Sequence, residues 1–155
     1  MFNEMNKNPN TMSFEEDATN RNTSLFLTLL LNNVKAELLD LKCKIEDAYI
    51  ELKTVKNDYE KCSSKDCSRE VLFGITKLDA EETKLKAINA RITELKDTLA
   101  KMNREYGKDD NVTNTLISLV NVQSRFNSVY NSLVKTNWFL TNKSEEYKKS
   151  KKTEL

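Results

Sequence analysis

The sequence predicts an all-α protein in which long antiparallel helices form an elongated coiled coil or three-helix bundle. Three observations carry that reading. The 155 residues include only two glycines and one proline, too few for the turns of a β-rich or α/β fold. An apolar stripe repeats at alternating steps of four and three residues from Leu27 to Cys62, the spacing that keeps one side of a helix facing a neighbour. Charged residues, 32% of the chain, fall between the stripe positions, as they do on a solvated helix face. The length suits one domain.

Residues 1–22 are rich in Asn and show no apolar period, which predicts a disordered N-terminal tail. Phe2, Met5, Met12 and Phe14 are the residues there from which a short docking motif could be built. Thr23 or Ser24 can cap the first helix by accepting a bond from a free backbone N–H. The helical domain is therefore read over 23–147, with its first helix at about 24–62. Its stripe runs Leu27, Leu31, Val34, Leu38, Leu41, Ile45, Ala48, Leu52, Val55, Tyr59 and Cys62. The pattern breaks at Ser63-Ser64-Lys65-Asp66-Cys67-Ser68, where Ser and Asp compete with helical hydrogen bonding and favour turns. So short a connection makes the next helix an antiparallel neighbour.

A second helix, about 68–106, carries Leu78, Leu85, Ile92, Leu99 and Tyr106 at sevens, with Ile88, Leu95 and Met102 between. Val71, Leu72, Phe73 and Ile75 form an apolar cluster at the hairpin end. Gly74 lies inside that cluster and predicts a kink or a close helix approach, because an interior glycine costs about 1 kcal/mol relative to Ala. Gly107 ends the helix in the usual C-terminal place, and Asp109 to Asn111 can cap a third helix at about 111–147. That helix reads Val112, Leu116, Leu119, Gln123, Phe126, Tyr130, Leu133, Asn137 and Leu140, with a second stripe of Ile117, Val120, Val129, Val134 and Trp138. Two stripes suit contact with two neighbours at once. Residues 148–155 are read as a basic C-terminal tail. Helices of this length span roughly 50–60 Å, so the chain is a rod.

The 25 basic and 24 acidic residues are interspersed. Direct nucleic-acid binding needs a concentrated basic face. Only Lys148-Lys149-Ser150-Lys151-Lys152 approaches one, and it is read as a solvated end ahead of a nuclear signal. The chain has no histidine, which removes Ser-His-Asp and Cys-His nucleophilic sites and the usual general base near neutral pH. Gly74 and Gly107 alone cannot build a phosphate-cradling loop. The expectation is a non-enzyme with no cofactor, no metal and no small-molecule substrate. Cys43, Cys62 and Cys67 are expected to be reduced thiols: their count is odd, the N-terminal residues are polar, and two loop thiols fall short of the four ligands of structural zinc. The most apolar stretch, Leu25 to Leu31, is far shorter than the ~20 residues of a membrane span. A soluble intracellular protein follows, nuclear ahead of cytoplasmic.

The polar-free stripe exceeds what an isolated bundle needs, which assigns a partner-binding seam to Leu27, Leu31, Val34, Leu38, Leu41, Ile45, Leu52, Val55 and Tyr59. Gln123, Asn137 and Trp138 are candidate partner anchors, since a buried amide sets register in coiled coils and Trp is enriched where partners dock. The stretch Phe126 to Trp138 (FNSVYNSLVKTNW) resembles the C-terminal end of centromere protein H-type inner-kinetochore subunits through Asn137-Trp138. The glycine before that pair and the acidic-apolar stretch after it are missing. The resemblance implies a small nuclear coiled-coil subunit of a kinetochore assembly. These readings favour a non-enzymatic structural subunit of a multiprotein scaffold, set in chromosome segregation. Its partners are other coiled-coil chains, in a hetero-oligomer ahead of a homodimer. The alternatives are a self-contained three-helix spacer or adaptor of spectrin-repeat character and, behind it, a SNARE-like or tethering bundle.

Overall fold

The computed structural model describes the backbone of residues 14–154 and the side chains of residues 24–152. Its three helices are α1 (Phe14–Lys61), α2 (Ser68–Tyr106) and α3 (Asp110–Glu154), and no strand occurs among the described residues. Successive helices run antiparallel and pack into a three-helix bundle, as the stripe pattern predicts.

The turns fall where the sequence places them. Before α2, Asp66 Oδ1 accepts from the backbone N–H of Ser68 at 2.9 Å and from the Ser68 hydroxyl. Before α3, Asp109 Oδ1 accepts from the backbone of Asn111 at 2.8 Å and of Val112 at 3.3 Å, which satisfies donors that a helix start leaves open. Gly107 ends α2 with φ +74°, a left-handed value that a Cβ disfavours.

The outer ends differ from the sequence reading. α1 starts at Phe14 rather than near Ser24. No Gly or Pro separates Phe14 from Lys61, so nothing in that stretch interrupts the helix. The rest of the expected tail, residues 1–13, lies outside the described residues. α3 continues to Glu154, so the basic segment extends the helix. Lys151 and Lys152 suit the negative end of its dipole, and Lys143 and Lys148 pair with Glu146 and Glu145 one turn away.

The core lies along the axis between the three helices. Leu31, Val34, Leu38, Leu41, Ile45, Ala48, Leu52 and Val55 of α1 face Val71, Leu78, Leu85, Ile88, Ile92, Leu95, Leu99 and Met102 of α2. Val112, Leu119, Val122, Phe126, Val129, Leu133 and Leu140 close the third side. Thr115 is buried among them, its hydroxyl donating to the Asn111 carbonyl at 2.7 Å. At Gly74 the helices meet over bare backbone: an added Cβ would lie 2.8 Å from Val55 Cγ1 and 3.0 Å from Leu140 Cδ1. The close approach expected at this glycine is present.

Ion pairs give the register. Lys77–Glu51 (3.7 Å) and Arg91–Glu37 join α2 to α1, and Arg125–Glu46 (2.5 Å) joins α3 to α1. Followed along the helices at 1.5 Å per residue, these pairings start α3 level with about residue 31 of α1. The α1 segment before that level has α2 beside it but no third helix. Leu25, Phe26 and Leu29 lie there and stay 55–59% exposed. At the opposite end α3 passes the α1–α2 turn, and Lys151 comes within 3.7 Å of Asp66.

That turn corrects the expectation of three reduced thiols. Cys62 and Cys67 are joined in a disulfide, their Cα atoms 6.2 Å apart, within the span a bridge allows. The odd residue is Cys43, which is free and exposed on α1.

Candidate interaction surface

The seam assigned to a partner chain is filled by the chain itself. Leu31, Val34, Leu38, Leu41, Ile45, Leu52 and Val55 are at most 4% exposed, covered by α2 and α3. Leu27 and Tyr59, at its ends, are half-buried against the same core. Burial raises the Tyr59 phenol above its usual pKa, and its ring meets Phe139 edge-on at 5.6 Å. An apolar heptad stripe reports that one side of a helix must be covered; it carries no mark of whether the cover lies in the same chain.

α3 separates its two stripes in a way the sequence reading did not anticipate. Val129 joins the core with Val122 and Thr115, while Leu116, Gln123, Tyr130 and Asn137 sit half-buried along the α2 flank. Asn137 Nδ2 donates to Asp79 Oδ1 at 2.7 Å, and its Oδ1 is buried without a partner. The remaining members of the second stripe point away from the core. Ile117 is 55% exposed, Val120 48%, Val134 39% and Trp138 70%. Of the three anchors the sequence suggested, only Trp138 is openly presented.

These four residues belong to a longer row. Ile117, Val120, Ser124, Asn127, Asn131, Val134 and Trp138 follow one another at alternating steps of three and four, and all seven are exposed. From Asn111 to Asn142 the only charged residues are Arg125 and Lys135, and both turn toward α1. The Arg125 guanidinium donates to Glu46 at 2.5 and 3.0 Å and lies 4.6 Å over the Tyr49 ring. That pairing holds the Glu46 carboxyl below its ordinary pKa. Lys135 lines the α1–α3 groove beside Tyr59 and Phe139. The outward face of α3 therefore carries no charge. α1 and α2 instead carry exposed charges along their length, among them Lys42, Asp47, Lys53, Lys86, Lys96 and Asp97, which separate their exposed apolar residues Leu39, Ile50, Leu72 and Phe73. Depletion of charge around an exposed aromatic marks the composition of an interface core.

Other features are weaker as sites. The groove between α1 and α2 is open and rimmed by charges of both signs, including Asp40, Lys44, Glu81 and Arg91. Cys62, Cys67 and Glu70 bring two sulfurs and a carboxylate within 4.8 Å, yet the disulfide consumes both thiolates that a metal would need. Glu70 Oε2 lies 3.7 Å from Cys62 Sγ, with no thiol proton left to share. No helix among the described residues is long and apolar enough to cross a membrane.

The chain matches no protein-family model, no curated protein and no solved structure.

Proposed function

We propose that this chain is a non-catalytic helical scaffold subunit: a bundle that satisfies its own long stripe and binds other protein surfaces through the outward face of α3. The observation that carries the reading is Trp138, 70% exposed at one end of an uncharged helix face. A large amphipathic side chain left in water within such a face is a candidate hot spot. The missing histidine, the scarce glycines and the open charged grooves favour binding over catalysis, since they supply neither a usual base nor an enclosed site. The self-contained bundle also favours the adaptor of spectrin-repeat character over a subunit that offers its α1 seam.

A photo-crosslinking residue in place of Val134 is expected to give adducts with other protein chains, and the same residue in place of Asp97, an exposed charged position of α2, to give few. Equal adduct yields at both positions would sink the reading. A chromosome-segregation setting rests on the Asn137-Trp138 likeness to centromere protein H-type subunits, and Trp138 belongs to the proposed face. Fluorescent tagging is expected to place the chain in the nucleus at centromeres; a diffuse cytoplasmic signal would remove that setting and leave the scaffold role standing.

A further inference from the structure

Resting on that reading of the α3 face, we infer that its occupant is a second copy of this chain, packed α3 against α3 in antiparallel register about a two-fold axis. The seven-residue row has the alternation of a coiled-coil seam, and it is exposed in its entirety. A two-fold interface must be complementary to itself, and one antiparallel register pairs six of the seven residues, from Val120 to Trp138, with one another and sets Ile117 opposite the exposed Thr141. In that register Val120 of one copy faces Trp138 of the other, Ser124 faces Val134, and Asn127 faces Asn131, each pairing occurring twice.

The large indole then meets a medium-sized side chain, the small serine lies under a valine, and every central amide has an amide opposite it. Buried polar groups need such partners, and a seam amide is the device that fixes register between coiled-coil helices. Sliding the copies by one heptad sets Asn131 against Val120 and leaves the amide unmatched.

Charge agrees with the same register. The uncharged face brings no like charges together along its length, and beyond its ends Asp110 of one copy lies opposite Lys148 of the other. Both side chains are exposed. The four apolar seam residues alone expose roughly 400 Å² per copy. With the polar seam positions and the flanking Asn121, Gln123 and Ser128, contact approaches the ~800 Å² per partner of a standard specific interface. Three polar seam positions out of seven keep the association weak, with dissociation constants on the order of 1–100 µM.

The test is sedimentation of the full chain from low-micromolar to several hundred micromolar concentration. The mass is expected to rise from 17.9 kDa toward twice that value. Val120→Lys and Trp138→Glu, each checked for unchanged helicity and melting, are each expected to stay monomeric. Mixed together they are expected to pair, because this register sets Lys against Glu in one layer and leaves Trp138 on Val120 in the other. A mixture that stays monomeric while the unaltered chain dimerises overturns the antiparallel register. If the unaltered chain is monomeric throughout, the second copy is ruled out as occupant. Crosslinking from position 134 to a different protein then preserves the scaffold reading, and its absence removes both.

Discussion

Gly107 and Gly74 show how two glycines can matter for opposite reasons. Gly107 has φ +74° and ψ −176°, a region that side-chain-bearing residues avoid, while a Cβ there would meet nothing within 4 Å. The cost of Gly107→Ala is therefore conformational, about 2 kcal/mol, and chemical denaturation should show it with an unchanged m-value. Gly74 lies inside a helix, where alanine would ordinarily gain about 1 kcal/mol. Here the new methyl meets Val55 Cγ1 at 2.8 Å, and a β-branched side chain has little room to turn away. Overpacking of this kind costs roughly 1–3 kcal/mol, so Gly74→Ala is expected to destabilise. In a Val55→Ala background the same change is expected to stabilise, and only steric coupling between the two positions reverses the sign. Both glycines were conspicuous in the sequence as helix-breaking residues. What it could not say was that one marks a backbone angle and the other a crowded contact.

Among the elements, the α1–α2 turn and the interhelical ion pairs lend themselves to chemical tests. The Cys62–Cys67 bridge closes a loop with a sequence separation of 5, and cross-links of short loops restrict the unfolded chain least, here by about 2 kcal/mol. Reduction, or Cys62→Ser with Cys67→Ser, is expected to lower the melting temperature by roughly 4–8 °C and leave the helices intact; loss of the bundle on reduction would contradict this. Cysteine counting suggested free thiols because it ignores geometry, and the two sulfurs meet only once α1 and α2 fold back on each other. Two carboxylates report on the helix pairings. Hydrogen bonds from Arg91 and Arg125 hold Glu37 and Glu46 below their ordinary pKa. Their stabilisation is complete above the unfolded carboxylate range and fades as pH falls through the lower folded values. Urea midpoints should therefore stay flat from pH 7 to about 5 and drop below about 4. Both pairs are partly exposed, so a Glu46–Arg125 double-mutant cycle is expected to give a coupling of only about 0.5–1 kcal/mol.

For the molecule as a whole, the question is which parts of α1 are covered from within. Alternation of apolar positions made the fold class legible, along with both turns and most of the core, because heptad spacing is a local property of each helix. Lateral arrangement is not local. The same stripe fits an open hairpin that offers Leu31 to Val55 to another chain and a closed bundle that hides them under α3. The closed arrangement makes a graded prediction along the rod. Leu85 and Leu133 are fully buried in layers where all three helices meet, so Leu85→Ala and Leu133→Ala are each expected to cost about 3–4 kcal/mol. Leu29 lies before the level at which α3 begins and is 55% exposed, so Leu29→Ala is expected to cost under about 0.5 kcal/mol. An open hairpin reverses the pattern for α3: Leu133 would then be a surface residue in the isolated chain, and its truncation would leave the melt unmoved. The comparison is made at low concentration, where the weak α3–α3 contact has dissociated. A large Leu133 effect there means that the third helix of the same chain covers the α1 stripe, leaving the outer row of α3 as the surface on which assembly can act.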